Sequence, residues 1–291
     1  MSTSQGTSAV PAIADGALLL HLHGFKCAGT TFAWSLERAL EGSLAYVESP
    51  EPGDRLDWRH VRDHLQQMEH RPQAVTSHLA TLPPEGEVAA LKVAFLRQPM
   101  ARLSSAFRFQ VHVQKSIEPV PFRSYLQSRT LTILANYQTR HLSPQEPMDW
   151  LLRKGWGLRP ELIDLARRDL FVGVVERYDE SIVALEHQLQ SIGRPLDLAY
   201  PGRLNTTSSD TPQQDQDPEL ESSPVALALT ELDQSLYRRA ERRLEERLAL
   251  IPDLEAKLSD FQRRRSELLE NPPNVSMKPN SEWVHLPMPV A

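Results

Sequence analysis

The chain has 291 residues, of which 40% are hydrophobic and 24% charged, a composition typical of a globular protein. Its formal net charge of -6 argues against a general polyanion binder, which is usually basic overall, so we expect no nucleic-acid partner. Its one cysteine, Cys27, excludes an intrachain disulfide and gives no reason to expect an oxidising compartment.

The first apolar run, Ala17–Leu22, is too short for a membrane span, which needs roughly 18 to 20 apolar residues. The residues ahead of it carry an acid and no base, whereas a secretory signal has a positively charged start. We therefore expect a cytoplasmic protein without a membrane span, in which residues 1–16 form a disordered tail.

Along residues 17–205, short runs that are apolar on both faces alternate with helical patterns, as in proteins with buried parallel strands. The predicted strands are Ala17–Leu22, Leu44–Glu48, Ala74–Thr76, Leu91–Leu96 and Phe171–Val175. The predicted helices are about Thr30–Glu41, His60–Glu69, Met100–Gln114, Leu131–His141, Pro160–Arg168 and Asp179–Ile192. This alternation predicts a three-layer α/β domain with a central, mostly parallel sheet flanked by helices.

The rest of the chain changes character after residue 205. Residues 206–224 are polar and acidic without an apolar period, which predicts a flexible loop. Residues 225–270 have helical patterns, from about Ala226 to Leu250 and then on to Leu269, and we expect these helices to pack on the same domain. The proline-rich segment 271–291 predicts an extended or disordered tail.

The segment that joins the first strand to the first helix has the features of an anion site. The amides and the dipole at a helix N-terminus favour negative charge, Lys26 adds a full positive charge, and Thr30 and Thr31 add hydroxyl donors. Gly24 and Gly29 have the spacing of a Walker A loop, but Thr30 stands where that motif has lysine, which argues against a nucleoside triphosphatase. The alternative interpretation is a plain strand–turn–helix joint with a surface lysine.

A second group of polar residues follows the fourth predicted strand. Arg97 lies at the carboxyl end of this strand, where ligands bind in open parallel sheets, and Ser105 lies about two turns into the next helix. A guanidinium and a hydroxyl together suit a phosphate dianion. For Arg102 and Arg108 we favour a surface or packing role over ligand binding.

Together these segments resemble the sulfotransferases that use 3′-phosphoadenosine 5′-phosphosulfate (PAPS), in the carbohydrate (family 2) branch. Residues 23–31, His-Gly-Phe-Lys-Cys-Ala-Gly-Thr-Thr, are similar to the family's His-Ile-Pro-Lys-Thr-Gly/Ala-Gly-Thr-Ser/Thr. Residues 96–108 are similar to its Leu-Arg-Asp-Pro, Glu-Arg and Ser-Ala-Tyr-Arg, with Gln98 in place of the aspartate. Residues 136–142 and 171–181 resemble two further family segments in the same order, with Val175 in place of a threonine.

The resemblance implies a P-loop-like fold and the transfer of a sulfuryl group from PAPS to a hydroxyl of an acceptor, with a saccharide as the expected partner and no metal. The implied cofactor-binding residues are Lys26, Ala28, Gly29, Thr30 and Thr31 at the 5′-phosphosulfate, and Arg97 and Ser105 at the 3′-phosphate. Lys26 is also an implied catalytic residue, since a lysine near the bridging oxygen stabilises the charge that grows there as the bond breaks.

Deprotonating the acceptor needs a general base, and His78, which follows the third predicted strand, is the first candidate. The alternatives are a structural role for His78 and Glu51 as the base. We expect His23 to shape the loop, and Cys27 to be a passive small residue rather than a thiol nucleophile. Two other functions remain open here: a P-loop-type nucleotide kinase, and a non-catalytic anion-binding protein on the same fold.

Overall fold

The computed structural model describes residues 18–49, 56–128, 133–143, 159–202 and 223–286. At its centre is a six-stranded parallel sheet with the strand order β5-β4-β1-β3-β2-β6. The strands are β1 (Leu18–Leu22), β2 (Leu44–Glu48), β3 (Ala74–Ser77), β4 (Ala90–Leu96), β5 (Leu170–Val174) and β6 (Val284–His285). The predicted α/β fold is confirmed, and each of the five predicted strands lies within one residue of its expected bounds.

Helices connect and flank the strands, as parallel pairing requires. The α-helices of the described ranges are α1 (Gly29–Ala39), α2 (Trp58–Gln67), α3 (Pro99–Arg108), α4 (Phe122–Leu126), α5 (Tyr137–Leu142), α6 (Tyr178–Ser191), α7 (Pro224–Leu248) and α8 (Leu254–Glu270). Ser223, at the end of the predicted acidic loop, caps α7 by accepting a hydrogen bond from the amide of Ala226 at 3.1 Å. Within the described ranges no helix is both long and apolar enough to cross a bilayer.

Three predicted helices have a different form in the structure. Of the helix predicted over about Leu131–His141, the described residues form a helix only from Tyr137, as α5, after a turn over residues 133–136. The pattern over Met100–Gln114 divides into α3 and a following π-helical turn, Phe109–Val113. The helix predicted over Pro160–Arg168 is wrong, because only a single 3-10 turn forms, at Pro160–Leu162. The carboxylate of Asp164 accepts a hydrogen bond from the amide of Ala166 at 2.8 Å, a local turn that competes with helix formation.

The segment after α8 runs without helix or strand over residues 272–279 and then forms a 3-10 turn and the strand β6. β6 pairs with the edge strand β2, with Val284 opposite Val47 and His285 opposite Glu48. Trp283 and Leu286 on either side are buried, so they anchor the segment despite its prolines. The predicted tail 1–16, the loop residues 206–222 and the last residues 287–291 lie outside the described residues.

The sheet contains a charged side chain whose full burial the sequence pattern did not indicate. Lys92 of β4 is fully buried, and its ammonium donates to Asp169 at 2.7 Å and to the carbonyl of Val88 at 3.0 Å. Arg167 contacts the same carboxylate at 2.9 Å, so the buried charges are paired. This cluster lies at the start of β4, away from its carboxyl end.

The strand order determines where a site can form. β1 lies between β3 and β4, and all three strands run in the same direction. The residues that follow them, His23, His78 and Arg97, therefore emerge at one edge of the sheet, together with the N-terminus of α1.

Candidate functional site

The loop between β1 and α1 has an unusual backbone. Lys26 and Ala28 have φ angles of 64° and 60°, in the left-handed region that non-glycine residues rarely adopt. Ala28 is the N-cap of α1 and offers no side-chain acceptor, and the first turn of the helix has no acidic residue. The positive end of the helix dipole is therefore not neutralised by its own cap or first turn, which suits an anion.

Close packing against His23 requires glycine at position 29. A Cβ atom at Gly29 would lie 1.9 Å from Cδ2 of His23, far inside any allowed contact. The buried His23 ring also lies 4.1 Å from the ring of His78 and 5.0 Å from that of His21, centroid to centroid. Burial and these neighbours hold the pKa of His23 well below its usual range, so the ring is neutral and shapes the loop.

Three cationic side chains gather beside this loop. The ammonium of Lys26 lies 4.2 Å from the ring centroid of Phe109, in the π-helical turn. Burial, followed by the charges of Arg97 and Arg108, lowers the pKa of Lys26 to about 8. Arg97 also donates from its guanidinium to the carbonyl of Lys26 at 3.4 Å. An anion placed here would relieve the mutual repulsion of these charges.

Helix α5 holds the loop and the end of β4 together. The side-chain oxygen of Gln138 accepts a hydrogen bond from the amide of Arg97 at 2.7 Å, and its nitrogen donates to the carbonyl of Arg97 at 2.8 Å. The neighbouring Tyr137 hydroxyl accepts a hydrogen bond from the amide of Phe25 at 2.9 Å. The segment 136–142, which the resemblance singled out, therefore supports both halves of the site.

The glutamine that replaces the family's aspartate keeps a capping role. The side-chain oxygen of Gln98 accepts a hydrogen bond from the amide of Ala101 at 2.7 Å and caps α3. The backbone amide of Gln98 donates a hydrogen bond to the carboxylate of Glu176 at 3.0 Å. An amide oxygen serves as well as a carboxylate for this purpose, so the departure at position 98 leaves the helix start intact.

The predicted hydroxyl ligands lie in less accessible places. Thr31 and Ser105 are buried, and Thr30 is half-buried. Ser105 lies in α3, and none of the described contacts joins its hydroxyl to Arg97 or Lys26. Arg102 packs inside the protein, where it donates to the carbonyl of Ile133 at 2.8 Å, so it has the packing role and not a surface one.

His78 is held by contacts that the sequence did not reveal. Its Nδ1 lies 2.7 Å from Oε1 of Glu48, and the same oxygen accepts a hydrogen bond from the His78 backbone amide at 2.8 Å. Trp283 stacks on the ring at 4.5 Å between centroids, with planes 17° apart. Glu48 could have been inferred once β2 was known to neighbour β3, whereas no local signal pointed to Trp283. The other candidate base, Glu51, lies outside the described residues.

The cysteine in the loop is not poised for covalent chemistry. Cys27 is buried, and its thiol lies 3.5 Å from the side-chain oxygen of Gln138 and 3.6 Å from the carbonyl of Phe25. Burial raises the pKa of this thiol to about 12. It therefore stays protonated at neutral pH, in agreement with a passive role.

The comparisons with known proteins concern the fold. No protein-family model and no curated protein sequence matches the chain. A solved sulfotransferase structure from Alicyclobacillus acidocaldarius is similar to it, with a TM-score of 0.38 and 14% identity, over 84% of this chain and 98% of that chain. The structure of mouse sulfotransferase SULT7A1 complexed with PAP is also similar, with a TM-score of 0.36 and 12% identity, over 84% of this chain and 88% of that chain.

Proposed function

We propose that this protein is a PAPS-dependent sulfotransferase of the carbohydrate (family 2) type, which transfers a sulfuryl group to a hydroxyl of a saccharide. The observation that carries the proposal is the cluster of Lys26, Arg97 and Arg108 at the N-terminus of α1. Burial and the two arginines lower the pKa of Lys26 to about 8, and none of the groups that shift it is a carboxylate. A polyanionic ligand would reduce the repulsion that these positive charges exert on Lys26.

The residues present fit the charges of the donor. The amides that begin α1, with Lys26 beside them, would bind the phosphosulfate, while Arg97 and Ser105 at the neighbouring strand and helix would bind the 3′-phosphate. Lys26 is still protonated at neutral pH with a pKa of about 8. Its ammonium would stabilise the negative charge that develops on the bridging oxygen as the sulfuryl group leaves.

His78 would serve as the general base. Glu48 receives the hydrogen bond from Nδ1, so the neutral ring has a free electron pair at Nε2. With 27% of its side chain exposed, His78 is accessible to an acceptor hydroxyl, while the adjacent His23 is buried. Proton transfer to a positioned histidine typically contributes about 10²- to 10⁴-fold to a rate.

The first test compares two nucleotides by calorimetry. We expect 3′-phosphoadenosine 5′-phosphate (PAP) to bind without a metal, and ATP with Mg²⁺ to bind weakly or not at all. Arg97→Ala should weaken PAP binding far more than binding of adenosine 5′-phosphosulfate, which lacks the 3′-phosphate. Tight binding of ATP–Mg²⁺ without binding of PAP would instead indicate the P-loop kinase.

The second test measures transfer of radiolabelled sulfate from PAPS to a panel of saccharides. We expect Lys26→Ala to lower kcat by about 100-fold or more with a smaller change in PAP affinity. Lys257→Ala, in α8, is the matched control and should leave both unchanged. PAP binding without transfer to any acceptor would favour the non-catalytic anion-binding protein.

A further inference from the structure

We infer that Glu48 and Trp283 are positioning residues that hold the His78 imidazole in one orientation and one tautomer, so that the segment after α8 is a working part of the catalytic site. This inference rests on the proposed function, because it concerns the base of that reaction. The supporting observations are the contacts of His78, which follows β3, with Glu48 of β2 and with Trp283, which precedes β6.

Glu48 determines which ring nitrogen carries the proton. Its Oε1 accepts two hydrogen bonds, and both come from His78: one from the backbone amide at 2.8 Å and one from Nδ1 at 2.7 Å. An ionised carboxylate only accepts hydrogen bonds, so Nδ1 of a neutral imidazole must be the protonated nitrogen. Nε2 is then the basic nitrogen, as a general base requires.

Trp283 determines the plane of the ring. It stacks on His78 with centroids 4.5 Å apart, and His23 lies at 4.1 Å from the same ring. Trp283 is itself fixed, because its indole nitrogen donates to the carbonyl of Lys278 at 3.2 Å and its ring lies 5.0 Å from that of Tyr46. The imidazole therefore has little freedom to rotate away from Glu48.

The same short strand supports both positioning residues. The amide of Leu286 donates to the carbonyl of Glu48 at 2.9 Å, and Nδ1 of His285 lies 2.7 Å from the carbonyl of Ser49. These contacts fix the backbone that carries the Glu48 carboxylate. Trp283 precedes β6 directly, so pairing of β6 with β2 also brings the indole to His78.

The orientation can be measured without any substrate, in full-length protein labelled with ¹⁵N-histidine. Long-range ¹H–¹⁵N correlation spectra distinguish the two neutral tautomers, and His78→Ala assigns the signal. We expect His78 to be the Nδ1-protonated tautomer, and Glu48→Gln to shift it towards a mixture. Glu186→Gln, which changes a largely buried glutamate of α6 that pairs with Arg264, should leave the signal as in the wild type.

Kinetics then test the consequence for catalysis. We expect Glu48→Gln and Trp283→Phe each to lower kcat by about 10- to 100-fold with little change in KM, as for other partners that orient a reacting group. Trp58→Phe is the matched control for the tryptophan, since both indoles are buried. In a His78→Ala background, Glu48→Gln should cause no further loss, because it acts through His78.

Three results would overturn the inference: an Nε2-protonated His78 in the wild type, an unchanged His78 signal in Glu48→Gln, or a further loss from Glu48→Gln in the His78→Ala background. Thermal unfolding of each variant shows whether it is folded, and Trp283→Phe retains an aromatic ring to preserve the strand. If no acceptor is sulfated, the proposed function fails, while the spectra still decide whether Glu48 fixes the tautomer of the imidazole.

Discussion

The chemistry of Lys26 is determined by its surroundings as much as by its place in the loop. A solvent-exposed lysine has a pKa near 10.5, whereas burial, Arg97 and Arg108 lower the pKa of Lys26 to about 8. The side chain is thus charged at neutral pH, and it loses its proton as the pH rises from 7 to between 9 and 10. An anion bound at the loop would favour the charged form and raise this pKa again.

Because of this pKa, we expect PAP affinity to fall as pH rises above about 8. Below that value Lys26 is already protonated and binds the anion directly, and above it binding must first recover a proton, which costs up to about tenfold in affinity per pH unit. The measurement is calorimetry between pH 7 and 9.5, where phosphate charges are constant. Lys26→Ala should bind more weakly and lose this decline, and Lys257→Ala should keep it. A wild-type affinity that is flat across pH 8 would contradict the assignment.

A second prediction concerns Gly29→Ala, for which helix propensity and packing predict opposite changes in the free energy of unfolding. Alanine is the better helix former by about 1 kcal/mol, so propensity alone predicts that Gly29→Ala stabilises the protein. The new methyl group would collide with the His23 ring, and we expect a net loss of about 1 to 3 kcal/mol in the free energy of unfolding. Denaturant titration measures this difference.

Gly202→Ala is the control for this experiment, because a Cβ atom there meets none of the described residues within 4 Å. We expect it to change the free energy of unfolding by no more than about 0.5 kcal/mol. Equal stabilities of the two variants would mean that His23 does not pack against α1 as described.

At the scale of elements, the junction of α5 and α7 replaces an ordinary helix cap. The carboxylate of Asp233, in the middle of α7, accepts hydrogen bonds from the amides of Gln138 at 3.1 Å and Thr139 at 2.8 Å, at the start of α5. In return, the side-chain oxygen of Asn136 accepts a hydrogen bond from the amide of Leu232 at 3.0 Å. The short helix that holds Arg97 in place therefore depends on a residue almost one hundred positions later in the chain.

Removing the Asp233 carboxylate should lower the stability of the protein. Asp233→Ala leaves two buried amides without their acceptor, and we expect it to lower the free energy of unfolding by about 2 to 5 kcal/mol. Asp164→Ala removes an exposed carboxylate that accepts one amide, and its cost should stay near 1 kcal/mol or below. Denaturant midpoints of the two variants provide the comparison, and similar values would show that α5 is not held through Asp233.

The elements that could be predicted from the sequence are those whose formation depends on neighbouring residues in the chain. β1 to β5 are short apolar runs between polar turns, and this pattern is sufficient to locate them. The π-helical turn after α3 and the strand β6 have no such signature, because β6 is two residues long and its pairing with β2 is a contact between distant parts of the chain. The same reason explains why Lys26 and Arg97 could be assigned to the site from the sequence, whereas Arg108 was expected to have a surface or packing role and Trp283 gave no signal.

Across the whole molecule, the net charge gives little information about the site. The segment 206–224 has five acidic residues and no basic one, so it accounts for five of the six net negative charges. Other charges form ion pairs that link different helices. Arg264 of α8 contacts Glu186 of α6 at 2.8 Å, and it also contacts Asp197. Arg38 of α1 contacts the same Asp197 at 2.9 Å. A protein that is acidic overall can therefore have a cationic cluster where its chemistry is expected.

The pairing of β6 with β2 also bears on the order in which the molecule assembles. Nδ1 of His285 lies 2.7 Å from the carbonyl oxygen of Ser49, and 236 positions separate the two residues in the sequence. Among the described strands β6 is synthesised last, and until then none of them pairs with the outer edge of β2. Unpaired strand edges are prone to aggregation, and pairing with β6 protects this one. The pairing that protects this edge also brings the indole of Trp283 against the ring of His78, so one short strand serves both contacts.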